Sequence, residues 1–124
     1  MRAIVVDDSK AMRTILRRLL EGCGYDQIDE AANGEEGLKV LRQGGRPGLM
    51  LVDWNMPVMN GLEFITAVRE VPIFNSTVIM MITTETAVER IEQAIAAGAD
   101  EYLMKPFSRE VLLEKLEMLK SSHS

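Results

Sequence analysis

Short unbroken apolar runs alternate along this chain with segments in which apolar residues recur every three or four positions. Ala3 to Val6 is apolar, rich in β-branched residues and followed by Asp7 and Asp8, which predicts a buried parallel strand with two aspartates at its C-terminal end. Ser9 suits an N-cap, and Met12, Ile15, Leu16, Leu19 and Leu20 follow at helical spacing until Gly22 and Gly24 stop the run. A mixed strand is expected over Gln27 to Ala31. Asn33 then caps a second helix, with Glu36 three residues on, that ends at Gly44 and Gly45. Leu49 to Val52 reads as a third strand. Asn60 and Glu63 repeat the cap-and-glutamate pattern before Leu62, Ile65 and Val68, and Pro72 is expected to close that helix. Val78 to Ile82 is the fourth strand. Ala87 to Ala97 predicts a helix with Val88, Ile91, Ala94 and Ile95 on its packed face and Gly98 as a left-handed cap. Tyr102 to Met104 makes a short fifth strand, Pro106 breaks the chain, and Ser108 caps a last helix carrying Leu112, Leu113, Leu116 and Leu119. Residues 121–124 are expected to form a frayed tail after a domain spanning 1–120.

Strands alternating with helices specify an α/β domain: a doubly wound parallel sheet with right-handed crossovers and helices on both faces. Strands one, three and four are almost wholly apolar, strand two is mixed and strand five is short, so two and five belong at the edges. The resulting order is 2-1-3-4-5. In such sheets ligands bind beyond the carboxyl ends of the strands where the winding reverses, here between strands one and three.

Composition narrows the class further. With 124 residues, 47% hydrophobic and 27% charged, the chain has the size and usage of one folded domain rather than of a disordered segment or a two-domain enzyme. A net charge of −5 repels phosphate backbones, which argues against nucleic acid as a ligand. The single cysteine, Cys23, can form neither an internal disulfide nor a thiolate metal site, and suits a reducing, cytoplasmic setting. No apolar run has the length of a membrane span, and the first is too short for a signal peptide. Lys10, Arg13, Arg17 and Arg18 are expected to form a solvated basic face on the first helix. Trp54 is expected to pack beside the mouth as partial cover, with value as a fluorescent reporter. The only histidine, His123, lies in the tail, so no helix offers an imidazole for phosphotransfer or for a metal.

The strand ends carry the chemistry: Asp7 and Asp8 after strand one, Asp53 after strand three, Thr83 after strand four, and Lys105 after strand five. Three carboxylates at one mouth repel one another and shift toward protonation unless a hard cation lies between them. Mg²⁺ meets this need, because it takes few protein oxygens and completes its octahedron with waters or a phosphate oxygen. A carboxylate facing a metal and a lysine has the makings of an aspartyl-phosphate site. Asp53 stands alone on the central strand and is the best nucleophile. Asp7 and Asp8 suit the metal or its waters, and Lys105 and Thr83 would meet the phosphate.

These residues together resemble a known family. Val6-Asp7-Asp8-Ser9, Val52-Asp53-Trp54-Asn55-Met56-Pro57, Met81-Ile82-Thr83 and Tyr102-Leu103-Met104-Lys105-Pro106-Phe107 are similar to the motifs of response-regulator receiver domains, in particular the CheY-like single-domain chemotaxis type. The resemblance covers nearly the whole chain and implies the flavodoxin-like (βα)5 fold. It implies that Asp53 accepts a phosphoryl group from a CheA-like histidine kinase or from a small donor such as acetyl phosphate. Mg²⁺, for which Mn²⁺ can substitute, would be held by Asp8, Asp53 and the backbone carbonyl of Asn55, with Asp7 acting mainly through water. Lys105 would pair with the phosphoryl group, Lys105-Pro106 would be a cis bond, and Thr83 and Tyr102 would form the switch. Asn55 and Glu85 would tune the acyl-phosphate lifetime. The chain would be a cytoplasmic, monomeric phosphorelay switch rather than an enzyme, promoting only its own phosphoryl transfer and autodephosphorylation. Its output would be contact with a downstream protein, such as the flagellar motor switch, through the helix 4–strand 5–helix 5 face, with a phosphatase as a further partner. Helix 4 departs from the chemotaxis pattern at Ala87 and Val88, positions that those proteins often fill with lysine.

Other readings are weaker. A stand-alone receiver could act as a phosphate shuttle or sink, or the chain could be the receiver of a larger regulator. A haloacid-dehalogenase-type phosphatase needs an acid–base carboxylate two residues after its nucleophile, where this chain has the amide Asn55. A flavodoxin needs a hydroxyl- and glycine-rich first loop, where this chain is acidic.

Overall fold

The computed structural model describes the backbone of residues 1–123 and the side chains of residues 1–120. The elements follow in the order β1 (Arg2–Val6), α1 (Lys10–Glu21), β2 (Gln27–Ala31), α2 (Gly34–Arg42), β3 (Leu49–Val52), α3 (Gly61–Arg69), a 3₁₀ turn (Pro72–Phe74), β4 (Val78–Thr83), α4 (Val88–Ala97), β5 (Glu101–Met104) and α5 (Arg109–His123). α5 thus continues helically through His123, into the segment expected to fray, so the expectation that no helix carries the one histidine is corrected: it is the last residue of α5, and Ser124 lies outside the described residues.

All strand pairs are parallel, in the expected order β2-β1-β3-β4-β5. Register sets the mouth: Val6 pairs with Val52 and Val52 with Met81, so Asp7 and Asp53 leave adjacent strands at one level. Two backbone bonds fix those exits, Asp7 N–H to the Ala31 carbonyl at 3.0 Å and Asp53 N–H to the Val6 carbonyl at 2.9 Å.

Alternation along the buried strands divides the core into two layers. Ile4, Val6, Met50, Val52, Ile79 and Met81 face a layer with Leu41 of α2, Phe64 and Ile65 of α3, and Ala94 of α4. Ala3, Val5, Leu51, Met80 and Ile82 face Leu16 and Leu20 of α1 and Leu112 of α5. The caps read from sequence form as expected. The Ser9 hydroxyl accepts from Met12 N–H, the Asn33 side chain accepts from Glu36 N–H, and Asn60 with Glu63 makes a reciprocal capping box.

Two further expectations need correction. Pro72 does not close α3, which ends at Arg69; it opens the separate 3₁₀ turn, where its missing N–H is not needed. On α4, Val88 and Ile95 do not join the packed face: they are 63% and 47% exposed. The helix rests on the sheet through Ile91, Ala94 and Ala97, a narrow stripe of mostly small residues that turns the other two outward.

Candidate functional site

The mouth at the carboxyl ends of β1 and β3 is built by chain exits at the common level set by the register. Asp7 and Asp53 are buried and Asp8 is exposed, and one carboxylate oxygen from each lies within 4.8 Å of the others. Lys105, on the cis Lys105-Pro106 bond after β5, reaches across the sheet and donates to Asp7 Oδ2 at 2.9 Å and to Asp53 Oδ2 at 3.2 Å. Asp7 Oδ1 also accepts the Ser9 N–H at 2.9 Å.

Electrostatics follows from this arrangement. Burial pushes the Asp7 carboxyl above its ordinary value, against the opposing pull of Lys105 and the Ser9 amide. For Lys105 burial acts downward, but the Asp7 hydrogen bond and the charges of Asp53 and Asp7 outweigh it and hold the ammonium above its usual range. Lys105 therefore stays charged at the floor of the site. Its one cation faces three carboxylates, and a compact set of hard oxygen donors with negative charge to spare is the chemistry a divalent hard cation fits.

The remaining predicted residues lie along one side of this mouth. Thr83 is fully buried at the end of β4, and its hydroxyl oxygen accepts from Glu85 N–H at 3.4 Å, a bond that does not use the hydroxyl proton. The Tyr102 ring is buried and its hydroxyl donates to the Glu85 carbonyl at 2.8 Å. Burial, with the charges of Glu85 and Asp53, raises the Tyr102 phenol further, which keeps it a donor. Thr83, Glu85 and Tyr102 are thus joined through one short loop. Asn55 lines, with Asp8 and Glu85, a cavity of about 530 Å³ that opens from the carboxylates. The structure brings every predicted site residue to this end of the sheet.

Sequence reasoning missed two supports of the site. Arg13 and Arg17 are not a solvated face. Arg13 donates to the Asp7 carbonyl at 2.7 Å and to Glu30 Oε1 at 3.1 Å, and Arg17 donates to Glu30 Oε2 at 2.7 Å and to the Ile28 carbonyl at 2.6 Å. Helical spacing placed both arginines on one side of α1 but could not show that β2 offers Glu30 opposite them. The second support is Gly61, whose N–H bonds the Trp54 carbonyl at 2.9 Å with its backbone lying against that of Asp53. Trp54, 4% exposed, packs beside the mouth as expected, with Arg90 over its ring.

The Glu30 contact carries a pH signature. Burial pushes the Glu30 carboxyl up, but Arg17 and Arg13 outweigh it and hold the group below its ordinary value of 4.5. A carboxyl depressed on folding adds stability that is present above the unfolded pKa and is lost as pH falls through the folded one. The urea midpoint of Glu30→Gln should therefore lie below that of the native chain at about pH 6, and the gap should narrow as pH falls below the ordinary value of 4.5. A gap that does not narrow would show that Glu30 is not charged against the two arginines.

A doubly wound sheet whose switch point gathers three aspartates, a lysine and a threonine defines an α/β domain of the 2-1-3-4-5 order with an acidic, lysine-bridged site rather than a nucleotide fold, which would place a glycine-rich loop there. The sequence profile of the response regulator receiver domain matches residues 3–117, and the chain belongs to that family. Its members are two-component signalling switches, not classical enzymes, which sets aside the phosphatase and flavodoxin readings. The chain is 40% identical over 119 residues to the chemotaxis protein CheY1 of Helicobacter pylori, covering 96% of each chain. It is also 40% identical over 117 residues to the chemotaxis protein CheY homolog of Campylobacter jejuni, covering 94% of this chain and 90% of that one. Among solved structures, the chemotaxis response regulator CheY4 of Vibrio cholerae superposes with a TM-score of 0.87 at 38% identity, covering 95% of this chain and 97% of that one. No helix among the described residues is long and apolar enough to cross a membrane.

Proposed function

We propose that this chain is a chemotaxis switch in which Asp53 takes a phosphoryl group from a CheA-like histidine kinase. The observation that carries the reading is Lys105 bridging Asp7 and Asp53 at the mouth of the sheet. Asp8, Asp53 and the Asn55 backbone carbonyl would hold Mg²⁺, with Asp7 acting through water and Mn²⁺ as a substitute. When bound, the ion would neutralise charge that develops on the phosphoryl oxygens. Lys105, already charged and aimed at Asp53, supplies a second positive contact for that group. Asp53 attacks phosphorus as a carboxylate, so it needs no proton removed first.

Thr83 and Tyr102 form the switch in this reading. The Thr83 hydroxyl turns to a phosphoryl oxygen, and the Glu85 backbone, bonded to Thr83 and Tyr102, passes the change to β5. Asn55 and Glu85 stand at the cavity wall and tune hydrolysis through the water they admit. The α4–β5–α5 face then meets a downstream protein, the flagellar motor switch. Exposed Val88, Ile95 and Met104 supply apolar contact there without the lysines common at the start of α4. The protein acts as a cytoplasmic monomer, with a phosphatase as a further partner.

Incubation with acetyl phosphate and Mg²⁺ tests this. Intact mass should show one added phosphoryl group, and a chelator should prevent the addition. Addition that persists with the chelator would refute the metal assignment, and no addition with Mg²⁺ present would refute the phosphoacceptor.

A further inference from the structure

The end of the sheet opposite the mouth holds a cavity of about 250 Å³ that the chemistry above does not use. Leu49 and Val78, the first residues of β3 and β4, line it together with Leu116 and Leu119 of α5. All four belong to the core layer between the sheet and α5, so the cavity is an opening into that layer from below. Its volume falls short of the roughly 300 Å³ at which drug-sized sites begin, which suits a ligand of about ten non-hydrogen atoms.

The polar lining has one sign. Although the chain carries a net charge of −5, the charged side chains that line this cavity among the described residues are Arg46 and Lys120, both cations. Both are exposed, and neither forms an ion pair among the described residues. Met1 also lines the cavity, but its ammonium is neutralised by Asp26 Oδ1 at 2.6 Å. Tyr25 adds a half-buried phenol whose hydroxyl has no hydrogen-bond partner among the described residues, and burial raises it above its ordinary value, which keeps it a donor. The segment that carries Arg46 is pinned. The Thr77 hydroxyl, buried, donates to the Pro47 carbonyl at 2.8 Å, and Gly48 N–H donates to the Arg2 carbonyl at 2.9 Å. An adjoining cavity of about 340 Å³ shares Tyr25, Leu116 and Lys120 but brings in Glu117, whose charge offsets that of Lys120. An anion is therefore best placed on the Arg46 side.

We infer that this cavity binds a small carboxylate with an apolar tail: the tail lies against Leu49, Val78 and Leu116, and the carboxylate meets Arg46, with Lys120 and the Tyr25 hydroxyl as further donors. Two exposed cations alone hold an anion weakly, because water screens them. An apolar tail supplies the burial that holds the head in place, and the planar fork of the guanidinium then matches the carboxylate in two parallel hydrogen bonds. The inference is independent of the phosphoacceptor reading, since none of the site residues at the mouth lines this cavity.

Octanoate, octanol and octylammonium share one tail and differ in the charge of the head, so they separate the two contributions. Titrated into the native chain and followed by backbone amide NMR, octanoate should shift Gly48, Leu49 and Val78 saturably. Its dissociation constant should lie about tenfold below that of octanol, with octylammonium weaker than either. The double variant Arg46→Gln, Lys120→Gln alters exposed side chains and should keep the fold, and octanoate should bind it no better than octanol does. Equal affinity for all three probes, or an octanoate preference that survives the double substitution, would overturn the role of the two cations. Shifts that do not saturate, or that spread away from Gly48, Leu49 and Val78, would overturn the cavity as a binding site.

Discussion

Asp53→Asn should gain no phosphoryl group under conditions that add one to the native chain, a loss of at least about a thousandfold in rate. The amide keeps an oxygen that can accept from Lys105 but lacks the negative charge that attacks phosphorus. The fold should survive. Asp7 still holds Lys105 at 2.9 Å, and removing one of three carboxylates within 4.8 Å relieves like-charge repulsion. Stability should thus stay within about 1 kcal/mol of native, measured by urea unfolding without metal. Mg²⁺ should separate the two proteins. At about a hundred times its dissociation constant a ligand stabilises a native state by ~2.7 kcal/mol, and much of that gain should vanish in the variant. Retained labelling of Asp53→Asn would move the phosphoacceptor to another carboxylate of the cluster, with Asp8 the exposed choice.

Gly61→Ala should be the most damaging small substitution near the mouth. A methyl group on Gly61 would land on the Asp53 carbonyl oxygen and within 3.0 Å of Trp54 Cα, and backbone atoms cannot swing aside as a side chain does. Overpacking of this kind costs about 1–3 kcal/mol and occasionally more, and a backbone obstacle places this case at or above the upper end. A loss of ~3 kcal/mol lowers the melting temperature of a domain this size by about 10–15 °C. Gly45→Ala provides the control, since nothing lies within 4 Å of the position a methyl would take. The obstacle is the backbone of Asp53 itself, so a shift that relieves the clash there disturbs the 3.2 Å contact with Lys105, and Gly61→Ala should then take up phosphate more slowly than its folded fraction explains. A melting temperature equal to that of Gly45→Ala would show that the β3–α3 connection yields at no cost.

Much of the fold was legible because its signals are local. The β3 boundaries, Leu49 and Val52, are those expected, since a short apolar run bounded by a glycine and an aspartate leaves a strand little room to slide. The Asn60–Glu63 capping box is a contact across one helical turn, and spacing alone specifies it. Legibility failed where packing decided. Val88 and Ile95 have the period of a buried face, yet α4 meets the sheet on the small side chains next to them.

The sequence by itself determined the alternation of strands and helices, the edge positions of β2 and β5, and the placing of Asp7, Asp8, Asp53, Thr83 and Lys105 at strand ends. These follow from periodicity, capping and apolar content, which act within a few residues. The tertiary structure alone decided which of these groups touch. Lys105 meets Asp7 across 98 residues of chain, Arg13 braces the Asp7 carbonyl from α1, and Gly61 lies against the backbone of Asp53. Arg90 settles on Trp54 although neither position hints at the other. Such contacts depend on how crossovers seat each helix and on the register that brings strand ends level. Those are properties of the packed sheet as a whole, set by burial summed over both layers of the core rather than by any one segment.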